Sequence, residues 1–401
     1  MHWNISGSGN SAGRMAEFGH NLFRRCKGQM MKRIGTVSYN IYCNFTNYGS
    51  ALQTWALLQV IRRMGYDAKL VDYCPAVLSD KNPLNPFPNM WDQDEISRRN
   101  CELTLPAIRE NYYKFENFYR NICPITREKY TAENFQDIVT DEGFDGFVCG
   151  SDTIFCIEEF KGFDDGYYAN YDCMKGKSVA YAASFGSAEF DETTYPILVD
   201  RLSNFKALGI RENRMIEYVR NHCAAPCSRT IDPTLLLTAK DYDMIAAERQ
   251  LADPYLLLYT RRYNPEMEAC ARKIAAEKGL KIVEISLRAV NAEKGHIMRY
   301  DAGVEEFLSL VKHADVVVTN SFHGVIFAVQ YSRPVAVFSR SQAVNKIGEL
   351  LELFGMQKSQ ISSKDDAYPE VDYDRVHTAI STARKASLDF LKMELELLSC
   401  I

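Results

Sequence analysis

The chain has 401 residues, a length typical of two or three domains. Lys and Arg number 47 and Asp and Glu number 52, so the formal net charge is −5; 46% of the residues are hydrophobic and 25% are charged. These values exclude a disordered chain, a collagen-like repeat and a protein that binds nucleic acid through a strongly basic surface. No run of 18 apolar residues occurs, so the sequence predicts no membrane-spanning segment.

Residues 1–31 differ from the rest of the chain and are predicted to form a flexible N-terminal tail, or an extension upstream of a start at Met30 or Met31. This tail lacks the apolar core of a signal peptide, which favours a cytoplasmic protein. The 12 cysteines are scattered singly, and the closest pair, Cys223 and Cys227, has no second pair at the spacing of a zinc site. We therefore predict core and surface thiols rather than disulfides or metal ligands.

Regular structure is predicted from Lys32 onwards. KRIGTVSY is typical of a buried strand, and residues 47–66 have the apolar spacing of a helix that ends at Gly65. AKLVDY is a second strand, so the chain opens with a β–α–β unit. Residues 74–130 interrupt this alternation and are predicted to form a loop and one or two helices inserted into the first domain. Their aromatic side chains would suit a sugar site, but packing between helices is the commoner use of such residues.

Strands and helices alternate again after this insertion. Strands are predicted at GFDGFVC, SVAYAAS, YLLLYT, KIVEIS, VVVT and PVAVFS, and helices at NPEMEACARKIAAEKG and GVEEFLSLVKHAD. The pattern predicts an α/β protein with two Rossmann-like domains, residues 32–200 and 201–350. Residues 351–401 are helical by composition and are predicted to pack back across the domains.

Polar clusters follow several of the predicted strands, at the carboxyl ends where open α/β sheets bind their ligands. The clusters are YNIYCNFTNYG (39–49), GSD (150–152), SFG (184–186), the arginine pair 261–262, and SFHG (321–324). His323 follows a strongly apolar strand and opens a helix, where an imidazole can transfer a proton near neutral pH. A histidine satisfied by backbone groups at a strand end is the alternative interpretation.

Arginines supply a second signal. Arg211 follows ALGI, and Arg261 and Arg262 follow YLLLYT. A guanidinium binds a carboxylate or a phosphate through two parallel hydrogen bonds, although ordinary surface charge is the alternative for each of them. Asp232, in TIDPTLLL, suits a helix cap or a turn, and DYD at 241–243 is better explained as a helix start than as a metal site.

Taken in order, these motifs resemble the polysaccharide pyruvyl transferase family over about residues 32–338. The matching segments are NYGSALQTWAL, GSD, AASFG, GIRE, DPTLLL and VVVTNSFHGVIFAVQYSRPVAVF. The resemblance implies a GT-B-like arrangement with a deep cleft between the two Rossmann-like domains. It also implies transfer of the enolpyruvyl group of phosphoenolpyruvate onto a pair of sugar hydroxyls of a cell-surface polysaccharide precursor, which forms a pyruvate ketal and releases phosphate.

The chain departs from the family pattern at two places. Ser321 stands where many members have an arginine, which calls phosphate binding at that position into question. Thr153 and Phe155 follow GSD where Gln and a later Trp are common. Two alternatives therefore stay open: a GT-B-type glycosyltransferase that uses a nucleotide sugar, and a non-catalytic glycan-binding relative.

The resemblance and the strand-end positions together assign roles to individual residues. His323 is the predicted general acid. The predicted donor-binding residues are Arg211, Arg261, Arg262, Ser321 and Gly324, and the predicted acceptor-binding residues are Asn47, Tyr48, Gly49 and Asp152. Neither a metal nor a cofactor is predicted, since phosphoenolpyruvate is the donor substrate. The predicted partners are a sugar or lipid-linked oligosaccharide acceptor and, peripherally, membrane-bound glycan machinery, but no nucleic acid.

Overall fold

The computed structural model describes residues 31–39, 42, 45–84, 95–339 and 344–398, and every structural statement below refers to these residues. Two parallel β-sheets form its framework. The strands of the first sheet are β1 (Arg33–Val37), β2 (Asp67–Tyr73), β3 (Ile125–Tyr130), β4 (Gly146–Cys149), β5 (Ser178–Ala183), β6 (Phe205–Ile210) and β7 (Cys227–Arg229). Those of the second are β8 (Tyr255–Tyr259), β9 (Lys281–Ile285), β10 (Ile297–Met298), β11 (Val316–Thr319), β12 (Val335–Phe338) and β13 (Gln360–Ile361). Their spatial orders are β3-β2-β1-β4-β5-β6-β7 and β10-β9-β8-β11-β12-β13.

Helices connect the strands and cover the sheets. They are α1 (Tyr48–Arg63), α2 (Glu95–Asn117), α3 (Ile138–Asp141), α4 (Ile157–Phe160), α5 (Thr194–Leu202), α6 (Asn213–His222), α7 (Ala239–Tyr242), α8 (Pro265–Lys278), α9 (Val304–Lys312), α10 (Phe322–Gln330), α11 (Val344–Phe354) and α12 (Tyr373–Leu398). Parallel strands joined by helices are buried on both faces, which explains why β5 and β8 are buried along their whole length. The prediction of an α/β protein with two Rossmann-like domains is confirmed.

Helix α1 follows β1 and begins at the boundary between the two domains. Asn47 caps it, because its side chain accepts hydrogen bonds from two backbone amides of the first turn at 3.0 and 3.4 Å. Tyr48 is buried, stacks on Phe307 at a centroid distance of 4.4 Å, and donates a hydrogen bond to the carbonyl of Ala302 at 2.7 Å. Since Phe307 lies on α9 of the second domain, α1 joins the two domains through an apolar core.

The inserted segment, residues 74–130, contains α2 and also β3, which is an edge strand of the first sheet. The sequence did not indicate this strand because only two of its six residues are buried, which leaves little apolar pattern to detect. Helix α2 contacts the second domain: the Thr104 hydroxyl donates to the Leu287 carbonyl at 2.8 Å, and Lys114 pairs with Glu306 at 2.8 Å. The fully buried aromatic residues of this segment are Phe115, Phe118, Tyr119 and Tyr130. These four rings pack in the protein core.

The first sheet extends past the boundary predicted at residue 200. Strands β6 and β7 continue the parallel pairing of β5, so the sheet ends at Arg229, and residue 200 lies inside α5. An alternating pattern predicts where strands occur but not which sheet they join, because sheet membership depends on contacts between distant segments. Helix α12 returns from the second domain to β5 and β6, where the Ser387 hydroxyl accepts a hydrogen bond from the Ile231 amide at 3.1 Å.

None of the described cysteines forms a disulfide bond. Cys223 and Cys227 are half-buried and pack at the edge of the core of the first domain. The predicted N-terminal tail lies outside the described residues except for Met31. Within the described ranges, no helix has the length and apolar character needed to cross a bilayer.

Candidate active site

His323 lies where the carboxyl ends of the two sheets face each other. It is the second residue of α10, which follows β11, and Ser321 caps this helix by accepting a hydrogen bond from the Gly324 amide at 3.2 Å. The histidine is 8% exposed, and its Nε2 lies 3.5 Å from Oδ2 of Asp232, which follows β7 of the first sheet. The predicted general acid is therefore paired with a carboxylate from the other domain.

The His323 ring also lies against the first turn of α1. A Cβ at Gly49 would lie 1.9 Å from Nδ1 and 2.4 Å from Cγ of the imidazole, so this approach requires a glycine. Gly324 has a comparable role, because a Cβ there would lie 2.5 Å from Oγ1 of Thr319. Two glycines that were predicted to bind ligands thus permit close packing around the histidine.

Arg211, which follows β6, is the centre of a buried ion-pair network. Its Nη1 lies 2.9 Å from Oδ2 of Asp232, and its Nη2 lies 4.0 Å from Oδ1 of Asp152. Its Nε lies 3.6 Å from Oε1 of Glu212. The guanidinium also lies over the ring of Phe322 at 4.9 Å. Three carboxylates therefore fix the orientation of one guanidinium beside the histidine.

The pKa of each aspartate of this network lies below its ordinary value. Burial alone would raise the pKa of Asp232, but the imidazole of His323 and the guanidinium of Arg211 outweigh it and hold that pKa well below its ordinary value. Burial likewise raises the pKa of Asp152, and the charges of Arg211 and Lys346 outweigh it, with a net lowering. The His323 imidazole therefore faces a carboxylate whose pKa is lowered, at 3.5 Å.

Asp152 is held by contacts from two elements. The Ser50 hydroxyl, on α1, donates a hydrogen bond to its Oδ2 at 2.9 Å. Gly150, at the end of β4, has a φ of 143°, and a Cβ there would lie 1.9 Å from the carbonyl oxygen of Tyr181. Only glycine tolerates both this backbone conformation and this contact, so the GSD turn requires its glycine to present Asp152.

Lys346, on α11, adds a second cation beside Arg211. The two side chains line one pocket together with Asp232 and Phe322. Burial and the nearby Arg211 charge lower the pKa of the Lys346 ammonium group, whereas the carboxylate of Glu212 opposes this shift. The pocket therefore brings two cationic side chains from different domains to one place.

Arg261 and Arg262 leave β8, the neighbour of β11 in the second sheet. The Arg261 amide donates to Oδ1 of Asn320 at 2.9 Å, and the Asn320 side chain donates to the Arg262 carbonyl at 2.7 Å. The guanidinium of Arg261 lies over the ring of Phe45 at 4.3 Å. The structure thus places these arginines at the same sheet edge as His323, in contact with the segment that precedes α1.

The predicted acceptor residues have two kinds of position. Gly49 contacts His323, and Asp152 contacts Arg211. Asn47 caps α1, and the Tyr48 hydroxyl is buried against a backbone carbonyl. Of these four, Asp152 belongs to the ionisable network and Gly49 contacts it through His323.

Asp232 was predicted only to cap a helix or form a turn, but it also has two charged partners. It does act as a cap, because its Oδ1 accepts a hydrogen bond from the Thr234 amide at 3.0 Å. Its other oxygen binds Arg211 and faces His323. The DPTLLL motif signalled the cap, but nothing local signalled the two partners, which come from distant segments.

Three further residues were missed. Ser50 and Glu212 stand directly after predicted site residues, in NYGS and GIRE, and this adjacency was the available signal. Glu212 accepts a hydrogen bond from the Ser184 hydroxyl, so the SFG cluster also reaches the network. Lys346 lies in a helix without a strand-end position, and no signal in the sequence distinguished it.

The DYD segment at 241–243 lies in the short helix α7 and just after it, and only Asp241 belongs to the helix start that was predicted. Asp241 completes a capping box with Thr238 at α7, and Asp243 pairs with Lys312 at 2.8 Å. In the described ranges, no group of three or more His, Cys, Asp or Glu residues is arranged to hold a metal ion.

Two parallel-sheet domains that meet at their carboxyl edges around a His–Asp–Arg network define an α/β protein with a GT-B-like arrangement. A family model described as polysaccharide pyruvyl transferase matches residues 47–342. The chain belongs to the polysaccharide pyruvyl transferase family, and the resemblance seen in the sequence is confirmed. The membership supports a polysaccharide-modifying transferase.

Similar folds occur among solved structures at low sequence identity. UDP-N-acetylglucosamine 2-epimerase from Rickettsia bellii is 12% identical with a TM-score of 0.48, over 93% of this chain and 98% of that one. UDP-GlcNAc 2-epimerase from Methanocaldococcus jannaschii is 12% identical with a TM-score of 0.47, over 88% and 92%. Spinosyn forosaminyltransferase SpnP is 10% identical with a TM-score of 0.46, over 92% and 100%. No curated protein matches the chain.

Proposed function

We propose that the protein transfers the enolpyruvyl group of phosphoenolpyruvate onto two hydroxyls of a sugar, which forms a pyruvate ketal and releases phosphate. Family membership supports this class of reaction. The observation that carries the proposal is the buried pair of His323 Nε2 and Asp232 Oδ2 at 3.5 Å, next to the Arg211 guanidinium. This pair offers a proton donor beside a cation, and phosphoenolpyruvate requires both.

The first step is protonation of the methylene carbon, C3, of phosphoenolpyruvate by the imidazolium of His323. C2 then becomes electrophilic, and the ionised Asp232 stabilises the imidazolium before the transfer. General acid catalysis of this kind contributes about 10²–10⁴-fold to a rate.

A sugar hydroxyl then adds to C2, the bond between C2 and the phosphate oxygen breaks, and a second hydroxyl of the sugar adds in its place. The proton of the first hydroxyl returns to His323 and that of the second leaves with the phosphate, so that atoms and charges balance. We assign Asn47, Gly49 and Asp152 to the acceptor side, where Tyr48 supports the helix that carries two of them.

The carboxylate and phosphate of the donor are assigned to Arg211 and Lys346. Arg211 is already oriented by its carboxylates, so little reorganisation accompanies donor binding. The amides at the start of α10, between Ser321 and Gly324, add the positive end of a helix of nine residues. Lys346 supplies from α11 the cation that many family members carry where this chain has Ser321.

Phosphate release tests the proposal. Purified protein with phosphoenolpyruvate and free, nucleotide-linked and lipid-linked sugars should release inorganic phosphate and incorporate the three donor carbons into the sugar. His323→Asn should lower the rate at least about 100-fold. His313→Asn is the matched control, since His313 caps α9 and its Nδ1 lies 2.9 Å from the Ser309 carbonyl. Wild-type turnover by the His323 variant would contradict the role of this residue.

The same assay separates the alternatives. If no acceptor supports phosphate release, transfer from phosphoenolpyruvate is excluded. Turnover of a nucleotide sugar would then favour a glycosyltransferase, and binding of a glycan without turnover would favour a non-catalytic protein.

A further inference from the structure

Two guanidinium groups leave neighbouring strands at the carboxyl edge of the second sheet. Strands β8 and β9 are parallel partners, with Tyr259 opposite Ile285. Arg261 follows β8 by two residues, and Arg288 follows β9 by three. Because neighbouring strands are about 4.8 Å apart, the two side chains start close together.

Both guanidinium groups lie on aromatic rings. Cζ of Arg261 is 4.3 Å from the ring centre of Phe45, and Cζ of Arg288 is 3.6 Å from that of Tyr263. Among the described residues, neither arginine has a carboxylate within 4.0 Å, and Nε of Arg288 is buried without a hydrogen-bond partner. A ring face holds a guanidinium by cation–π attraction and leaves its N–H groups available to an oxyanion.

Arg261 and Arg288 have no carboxylate neighbour among the described residues, whereas Arg211 has three. In a chain with a net charge of −5, the two parallel strands thus lead to two guanidinium groups without a described acidic partner. An anion bound between two guanidinium groups gains from the charge of both.

A buried polar network fixes the turn that carries Arg288. Glu284, on β9, accepts hydrogen bonds from the Asn291 side chain at 3.0 Å and from the Ser286 hydroxyl at 2.5 Å, and Nδ1 of His296 lies 2.6 Å from it. Ser286 in turn accepts a hydrogen bond from the Arg288 amide at 3.1 Å. The Glu284 and His296 side chains are each 1% exposed. Such a network rigidifies its surroundings, so Arg288 is presented from a fixed turn.

A small pocket is lined by residues that neighbour the two arginines, and two of its side chains are aromatic. It is lined by Phe45, Thr46, Pro83, Ile108, Leu287 and Tyr300. Phe45 is the ring beneath Arg261, and Leu287 directly precedes Arg288. The pocket therefore borders the two segments that carry the arginines.

We propose that Arg261 and Arg288 form an oxyanion site for the diphosphate of a diphosphate-linked sugar acceptor. Two guanidinium groups on neighbouring strands can each bind one phosphoryl group of a diphosphate. The Arg261 amide is bonded to Asn320 at 2.9 Å, on the segment that leads to His323, so the oxyanion site and the histidine share one edge of the second sheet. This inference rests on the proposed function, and it moves Arg261 from the donor, to which the sequence assigned it, to the acceptor.

Calorimetric titration with inorganic pyrophosphate tests the site directly. Arg261→Met and Arg288→Met should each weaken pyrophosphate binding about 10- to 100-fold, because each removes charge-assisted hydrogen bonds. Arg288→Lys should recover part of the affinity, which separates loss of charge from misfolding. Arg220→Met is the control, since Arg220 lies on α6 and its Nε donates to the Cys227 carbonyl at 3.1 Å. If the wild type binds pyrophosphate no more tightly than inorganic phosphate, or if the variants bind as it does, the inference is wrong.

Steady-state kinetics separate this inference from the proposed reaction. Arg288→Met should raise the KM for a diphosphate-linked acceptor about 10-fold or more and leave the KM for phosphoenolpyruvate unchanged. An increase in the KM for phosphoenolpyruvate instead would assign both arginines to the donor and overturn the inference while pyruvyl transfer stands. If pyrophosphate binds through the two arginines but phosphoenolpyruvate is never consumed, the proposed reaction fails and the oxyanion site stands.

Two probes distinguish whether a nucleotide or a polyprenyl group carries the diphosphate-linked sugar. Uridine diphosphate represents a nucleotide carrier, and farnesyl diphosphate represents a polyprenyl carrier. Tighter binding of either one than of pyrophosphate supports the site and identifies the carrier. Failure of both to compete with pyrophosphate would overturn the assignment to an acceptor.

Discussion

Replacement of Gly49 by alanine tests the contact between α1 and His323. The new methyl group would lie 1.9 Å from Nδ1 of the imidazole, whereas nonbonded heavy atoms prefer about 3.5–4.0 Å. The ring must therefore move by about 1.5 Å or more, away from a position in which Nε2 is 3.5 Å from Asp232. A misplacement of about 1 Å costs about 100-fold in rate, so kcat for phosphate release should fall by about that factor.

The effect of this substitution on stability should be much smaller than its effect on the rate. Overpacking costs about 1–3 kcal/mol, and the better helix propensity of alanine returns up to about 1 kcal/mol. The free energy of unfolding should therefore fall by about 0–3 kcal/mol, which a domain with about 5–15 kcal/mol of stability survives. Thermal unfolding and initial rates of phosphate release, measured on the same preparation, give both quantities.

Gly348→Ala is the matched control. Gly348 lies inside α11, and a Cβ there would have no atom within 4 Å. This variant should keep the wild-type rate and gain up to about 1 kcal/mol of stability. A Gly49→Ala enzyme with wild-type kcat would refute the view that this glycine positions the histidine.

Three further predictions concern single residues. Tyr48→Phe should lower the free energy of unfolding by about 1 kcal/mol without changing the acceptor KM, because its hydroxyl binds the Ala302 carbonyl; a tenfold rise in that KM would instead restore Tyr48 to the acceptor site. Lys346→Met should raise the KM for phosphoenolpyruvate about tenfold, because it removes a cation from the proposed donor site. Lys358→Met, at an exposed position, should leave this KM unchanged. If the two variants have the same KM for phosphoenolpyruvate, Lys346 does not bind the donor. Burial raises the pKa of the Asp164 carboxyl to about 6, above its unfolded value of about 3.9. Between these two pH values the folded protein binds a proton at Asp164 that the unfolded chain does not bind. The stability that this proton contributes is therefore lost as the pH rises through 6. Urea unfolding should thus show about 1 kcal/mol more stability from this group at pH 5 than at pH 7.5, and Asp164→Asn should lack that difference; an unchanged difference would place the titration elsewhere.

Local patterns in the sequence were sufficient for most of the framework. Residues 47–66 have helical apolar spacing after an asparagine, and the structure has α1 over Tyr48–Arg63 with Asn47 as its cap. The apolar run VVVT before SFHG placed His323 at a strand end, and the structure has β11 followed directly by α10. These features depend on hydrogen bonds and side-chain periodicity among residues close in the chain, so neighbouring residues contain the necessary information.

The predictions failed where a feature depends on residues far apart in the chain. Sheet membership of β6 and β7 depends on their pairing with β5, and β3 is an edge strand with few buried residues. Tyr48 was predicted to bind the acceptor, but its hydroxyl is buried by the second domain, where it donates a hydrogen bond to the Ala302 carbonyl. Burial of a side chain by a distant segment has no periodic signature in the sequence.

The sequence by itself determined the two Rossmann-like domains, the strand ends that carry His323, Arg211 and Asp152, and the family. The tertiary structure alone decided that Asp232 faces the histidine from the opposite domain, and that Lys346 joins the site from α11. Secondary structure follows from interactions within a few residues, whereas the charges that act on a side chain depend on distance through space. The chemistry of this site is therefore set by contacts that form only when the two domains pack together.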